Sequence, residues 1–288
     1  MGAGPGGLEA ARVAATRGHH VTVFEAADQP GGQVRLAAQS HRRAELIGII
    51  DWRMAQCAAR DVDFRFNALA EAEDITALAP DVVIVATGGL AQQDILEAGN
   101  DLTVTAWDIL TGDVRPGREV LLFDDAGDHA ALQAAEVIAQ AGSTVEVMTP
   151  DRSFAPEVMG MNLVPYMRSL QDKPVTMTVA RRLKSVARAG NRLRATIGTD
   201  YSDHSFDAEF DQVVVNHGTL PLDDLYHDLR PLSRNGGAVD HDALIAGQPQ
   251  TVAANPDGAF QLFRIGDAVS ARNIHAAIHD ALRLMCVQ

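Results

Sequence analysis

The chain opens on Met1-Gly2-Ala3-Gly4-Pro5-Gly6-Gly7, a glycine turn of the G-x-G-x-x-G kind, and no other feature narrows its choice of fold so much. Such a turn joins a buried strand to a helix whose N-terminus faces a pyrophosphate. Gly2 suits the tight turn, and Gly4 lets a diphosphate approach the backbone. Gly6 belongs to the same turn, and Gly7 lets the helix pack closely on a sheet. The helix follows at once in Leu8-Glu9-Ala10-Ala11-Arg12-Val13-Ala14-Ala15, but only Met1 stands where the strand should be. In this strand order the missing element lies at the sheet centre. The expectation is an α/β fold with the first strand of its first Rossmann-like unit missing. The chain then reads as the C-terminal part of a longer protein, cut near a nucleotide site.

The residues after the turn support a nucleotide site. Gly18-His19-His20 reads as a helix stop and an exposed turn, and Val21-Thr22-Val23-Phe24 as a buried strand ending at Glu25. Glu25 lies 18 positions beyond Gly7. That is close to the offset at which a strand-tip carboxylate accepts the ribose hydroxyls of an adenosine. A carboxylate there also disfavours a 2′-phosphate.

The remaining pattern alternates in α/β fashion. A long helical stretch is expected from roughly Arg42 to Arg60. Strands are expected at Asp81–Ala86, Glu119–Phe123, Thr144–Met148, Asp211–Val215 and Ala259–Ile265, with helices at about 130–141 and through Ala276–Leu284. These elements group into a discontinuous unit, 1–113 with 219–288, and an inserted unit, 114–218. A formal net charge of −14 argues against nucleic acid or an anionic membrane as the main partner. No apolar run reaches membrane-spanning length. Cys57 and Cys286 form no C-x-x-C pair, zinc site or iron–sulfur cradle, so a reducing cytoplasm is expected.

Five blocks now occur in one order: Gly2-Ala3-Gly4-Pro5-Gly6-Gly7, Glu25, Gly31-Gly32-Gln33, Ala86-Thr87-Gly88 and Arg264-Ile265-Gly266-Asp267. The chain resembles the two-dinucleotide-binding-domain flavoproteins. More narrowly it resembles the C-terminal half of the trimethylamine dehydrogenase and 2,4-dienoyl-CoA reductase family of NADH:flavin oxidoreductases, on the branch of N-methylproline demethylases. Leu46–Arg53, Phe154–Val158 and Arg272–Ile278 carry the narrower likeness. The resemblance implies FAD or ADP bound by the first unit, with Gly2, Gly4, Gly6, Gly7, Glu25, Gly32, Gln33, Ala86, Thr87, Gly88, Gly266 and Asp267 as cofactor residues. It also implies oxidative N-demethylation of a small N-methylated amino acid or amine. In the family that chemistry belongs to FMN in an N-terminal barrel followed by a 4Fe-4S cluster, neither of which lies in these residues. No catalytic residue and no metal ligand is assigned. Self-association and an electron-transfer partner are compatible with the resemblance.

The inserted unit departs from a nicotinamide site. Its turn reads Asp124-Asp125-Ala126-Gly127-Asp128-His129, whose carboxylates would cap a helix and repel a pyrophosphate. Met148-Thr149 at the next strand tip offers no ribose acid. His217, His275 and His279 show no partner in sequence. Two classes stay open: the nucleotide-binding, electron-transfer portion of an amine-oxidising flavoenzyme, and a non-catalytic domain or inert gene fragment with a structural ADP site.

Overall fold

The computed structural model describes residues 1–287, which divide into two compact units. Of the described residues, the first comprises Met1–Ala38, Ala44–Leu90 and 219–287, the second Gln39–Arg43 and Ala91–Gly218. The first stretch contains α1 (Pro5–Thr16), β1 (Thr22–Phe24), α2 (Gln33–Gln39), α3 (Gly48–Ala58), β2 (Asp63–Arg65) and α4 (Ala72–Thr76), then β3 (Val82–Val85) and β4 (Gly89–Ala91). The second unit contains β5 (Val104–Thr105), α5 (Ala106–Thr111), β6 (Glu119–Asp124), α6 (His129–Gln140), β7 (Thr144–Met148), α7 (Gly160–Gln171) and β8 (Val175–Thr178). It continues through β9 (Arg182–Ala189), β10 (Arg192–Thr199), β11 (Ser202–Phe210) and β12 (Gln212–Asn216). The chain returns to the first unit in β13 (Thr219–Pro221), α8 (Asp224–Leu229), α9 (His241–Ile245), β14 (Gln261–Arg264) and α10 (Ile274–Met285).

The sheet of the first unit is split. β1 pairs in parallel with β2 and β14 in parallel with β3, but β1 and β3 are not laddered on each other. Met1 and Gly2 join the two ribbons. The Met1 amino group donates to Ile84 O at 2.8 Å, Ala86 N–H donates to Met1 O at 2.8 Å, and Gly2 N–H donates to Phe24 O at 2.8 Å. A single rung therefore bridges the two ribbons, where a central strand would ladder along its whole length. Apolar side chains cover both faces. Phe24, Val83, Val85, Phe260 and Leu262 form one cluster, and Val13, Phe263, Ile265, Ala281 and Leu284 another. Alanines at 10, 11 and 14 keep α1 thin on its buried side and are strong helix formers.

The second unit has an unbroken five-stranded parallel sheet in the order β5-β12-β6-β7-β8. Val120 to Asp124 and Val213 to Asn216 are buried throughout, as the near-continuous apolar runs of a covered parallel sheet require. One face packs on α5, α6 and α7. The other packs on an antiparallel meander, β9-β10-β11.

Several expectations change. Residues 91–113, expected with the first unit, group with the second, because Val104 and Thr105 ladder onto Val214 and Val215 of β12. The long helix expected from Arg42 to Arg60 begins as a 3-10 segment at His41–Ile47 and becomes α-helical only at Gly48. Sequence reading had no place for the meander, whose outer strand β11 is exposed along nearly its whole length. Among the described residues no helix is long and apolar enough to cross a membrane.

Candidate functional site

The candidate cofactor residues of the first unit come from five separate segments, and backbone geometry draws them together. Gly2 adopts φ +90, and a Cβ there would stand 2.3 Å from Ala86 O. A Cβ on Gly7 would stand 1.9 Å from Gly2 O, so Gly7 is required by the turn's own backbone. The Ala86 Cβ just past β3 would stand 3.3 Å away, so the expected closeness of helix and sheet adds to that requirement. Around a Cβ built on Gly4 no atom lies within 4 Å. Gly4 is also the N-cap of α1 and brings no capping side chain. An open backbone at the N-terminus of a twelve-residue helix is the arrangement that receives a phosphate.

Glu25 is held against this turn. Its Oε2 accepts the Ala3 N–H at 2.6 Å and its Oε1 accepts the Ala27 N–H at 2.9 Å. Each carboxylate oxygen has a further lone pair for a hydroxyl donor. The Gly31-Gly32-Gln33 loop closes in from the other side. Gly31 N–H donates to Ala3 O at 2.9 Å, and a side chain on Gly32 would reach within 3.5 Å of the Gly4 Cα. Gln33 Nε2 donates to Asp267 Oδ2 at 3.0 Å across a separation of 234 residues, and lies 4.0 Å from where a Gly88 side chain would begin. The Thr87 hydroxyl donates to Leu222 O, which turns it back toward the chain that follows β13.

α10 carries the last segment into place. A Cβ on Gly6 would stand 3.1 Å from Ala277 O, and one on Gly266 3.1 Å from the Ala277 Cβ. Both glycines thus admit the same alanine. Asp267 Oδ1 accepts the Arg272 N–H at 3.1 Å, Gly266 N–H donates to Asp280 Oδ2 at 3.2 Å, and Arg272 is ion-paired with Asp280. The Asn273 side chain caps α10 by accepting the Ala276 N–H at 2.8 Å. Sequence reading missed the group that fastens α1 behind the turn. Buried Glu9 binds Arg12 at 2.7 Å and Arg53 at 2.9 Å. Burial alone would raise the Glu9 carboxyl, but the hydrogen bonds and charges of Arg12 and Arg53 outweigh it and hold the group below its usual range. A polar residue among alanines on a buried helix face was the available signal.

In the second unit the corresponding turn is filled by its own side chains. Asn216 Nδ2 donates to Asp124 Oδ1 and to Asp128 Oδ1, each at 2.9 Å. Gly127 N–H donates to Asp124 Oδ1 at 3.0 Å. Burial pushes the Asp124 carboxyl up to about 7 against the Asn216 hydrogen bond, and the Asp128 charge adds to the rise. The expectation that all three acids serve as caps is corrected: only Asp128 caps α6, through Ala130 N–H at 2.8 Å. Asp125 instead binds His217 Nδ1 at 2.7 Å, so His217 does have a partner. A loop covers the turn as well. Glu157 N–H donates to Gly127 O at 3.0 Å, and a Cβ on Gly127 would stand 2.6 Å from Pro156.

Two Rossmann-like units, one open at its glycine turn, define a two-dinucleotide-binding-domain flavoprotein architecture. Residues 1–51 match the NAD(P)-binding Rossmann-like domain family. Thioredoxin reductase from Lactococcus lactis shares the fold over 99% of this chain and 94% of its own, with TM-score 0.67 and 15% identity. A Rhizobium histamine dehydrogenase superposes with TM-score 0.81 at 25% identity, over 99% of this chain and 42% of its own. A probable N-methylproline demethylase from Rhizobium meliloti is 65% identical over 99% of this chain and 42% of its own length. The chain is thus similar to a part of each of these two relatives, and it spans less than half the length of the demethylase and of the histamine dehydrogenase.

Proposed function

We propose that this chain holds an adenine nucleotide, as FAD or ADP, for a flavin-dependent oxidoreductase that oxidatively demethylates a small N-methylated amino acid or amine. One observation carries the nucleotide reading. Gly4 lies open at the start of α1 with the Glu25 carboxylate on one side and Gly32 on the other. The residues present suit such a group: backbone N–H groups at the helix start for a diphosphate, a strand-tip acid for ribose hydroxyls, and Gln33 and Asp267 for a polyol or second ribose. A flavin bound here would relay electrons, and bound ADP would be structural. The demethylation reading rests on the relatives and places the chemistry at FMN in a part of the protein outside this chain.

In this reading the second unit holds no nicotinamide nucleotide. The carboxylates of Asp124, Asp125 and Asp128 repel a pyrophosphate, and Pro156 takes the space beside Gly127.

Calorimetry with ADP and FAD on the parent and on Glu25→Ala tests the nucleotide site. The parent should prefer ADP to a 2′-phosphorylated nucleotide, and the variant should lose roughly tenfold in affinity. Equal affinity in both proteins removes Glu25 from the site. Flavin absorbance of the purified protein separates FAD from ADP, and a colourless protein that retains ADP supports the structural role.

A further inference from the structure

The outward face of α10 carries a pair of histidines that the nucleotide site does not use. His275 and His279 are four residues apart on the helix, and both are exposed. Ala277, Ala281 and Leu284 bury the opposite face. The two rings stack with centroids 6.2 Å apart and planes 8° from parallel.

On a helix, side chains at this spacing start from Cβ atoms about 5–6 Å apart. Two imidazoles whose nitrogens bind one ion at about 2.0–2.1 Å fit that span, as they do where helical histidines one turn apart hold zinc. Exposed rings need only rotate about their own side-chain bonds to bring one nitrogen each onto a common point.

We infer that His275 and His279 form a surface chelate for a divalent first-row transition metal, with two protein nitrogens and water in the other positions. The surroundings select the metal. Arg272, one turn before His275, is neutralised by Asp280, but Arg283 stands one turn beyond His279. The N-terminus of α10 also places positive partial charge beside His275. A site that works against positive charge retains the ion with the highest intrinsic affinity for nitrogen, which is copper(II). No third His, Cys, Asp or Glu joins the pair among the described residues. Exposed Cys286 follows His279 by seven residues, about 10 Å along the helix axis, beyond reach of the same ion.

The ion would clamp the first turns of α10, whose Ala277 fits between Gly6 and Gly266. Binding to the folded state alone stabilises it by mass action, so copper should raise the melting temperature.

Copper(II) sulfate is titrated into the 288-residue protein with glycine present to strip weak sites, followed by calorimetry and electron paramagnetic resonance. The expected result is one copper per chain with two protein nitrogens in its coordination sphere. His275→Ala and His279→Ala should each lose at least about tenfold in affinity and abolish the copper-induced rise in melting temperature. Because both side chains are exposed, the metal-free melts of these variants should match the parent, which separates lost ligation from lost folding. His19→Ala/His20→Ala, at the other exposed histidine pair, should bind copper like the parent. Unchanged titrations in the α10 variants, or a loss confined to the His19/His20 variant, overturn the assignment.

Discussion

The turns at Gly2–Gly7 and Asp124–His129 each lead into a twelve-residue helix buried along one side, yet the space in front of them is occupied in opposite ways. At the first, glycines are demanded by close backbone contacts, and the one glycine without such contacts, Gly4, faces open space. At the second, the equivalent volume is filled by carboxylates, by Asn216 bridging two of them, and by Pro156. Both units keep the layered fold, so the fold does not decide the ligand. On the proposed reading a few side chains at one turn do.

The largest expected effect exploits a second contrast, between the split sheet of the first unit and the unbroken sheet of the second. Each apolar side chain buried between β1 and β3 should contribute about 1.5–3 kcal/mol. Placing Lys-Val-Val-Val-Ile-Val before Gly2 should therefore raise the melting temperature by roughly ten degrees or more and tighten ADP binding. A sharp monomeric transition that the extension leaves unmoved contradicts this account of the sheet.

Gly7 and Gly4 sharpen the comparison within the first turn. Gly7→Ala drives a Cβ into Gly2 O and should cost about 3 kcal/mol or more of stability, seen in chemical denaturation. Gly4→Ala meets no protein atom within 4 Å and should cost no more than about 1 kcal/mol, the disadvantage of alanine at an N-cap. It should nonetheless weaken ADP at least about tenfold, because the methyl stands where the phosphate approaches. Loss of both properties in Gly4→Ala, or of neither, breaks the assignment.

At the second turn the readout is pH. Folded Asp124 holds its proton up to about 7, whereas its unperturbed value is 3.8. Between these limits the folded state binds more protons, so this group's contribution makes stability fall as pH rises. His129 acts in the reverse sense. Burial and the Arg43 charge lower it from 6.5 to about 4, so the unfolded state binds more protons in that window and stability rises with pH. Asp124→Asn keeps an oxygen for Gly127 and Asn216 but removes the falling component. Its stability should climb between pH 4 and 6.5 and exceed the parent's by on the order of 2 kcal/mol at pH 7 and above, with no advantage near pH 4. Denaturant melts across that range check the sign.

The smallest expected effect is none. NADH and NADPH should leave the spectrum of any flavin bound to this chain unchanged, and rapid bleaching that saturates at micromolar nucleotide would reopen the second turn as a site.

Much of this was legible locally. The glycine spacing, Glu25 at a strand tip and the Val82–Val85 and Val213–Val215 runs all follow from short-range rules of backbone freedom and burial. The position of Gly4 within its turn was also readable, since the motif carries it. The contents of the second turn were readable as charge but not as structure. That Asp125 would turn to His217, 92 residues away, while Asp124 shared Asn216 with Asp128, depends on which strands lie side by side at the sheet's C-terminal edge. Pro156 over Gly127 depends on the path of a loop whose Ala155 takes a left-handed φ of 47.

The sequence by itself determined the class of fold and the open glycine turn of the first unit, because both are written in residues a few positions apart. The meander, the Gln33–Asp267 bond and the closure of the second turn were decided only by tertiary structure. Each of these brings together groups distant along the chain, and nothing near either partner in sequence encodes which distant group it will meet.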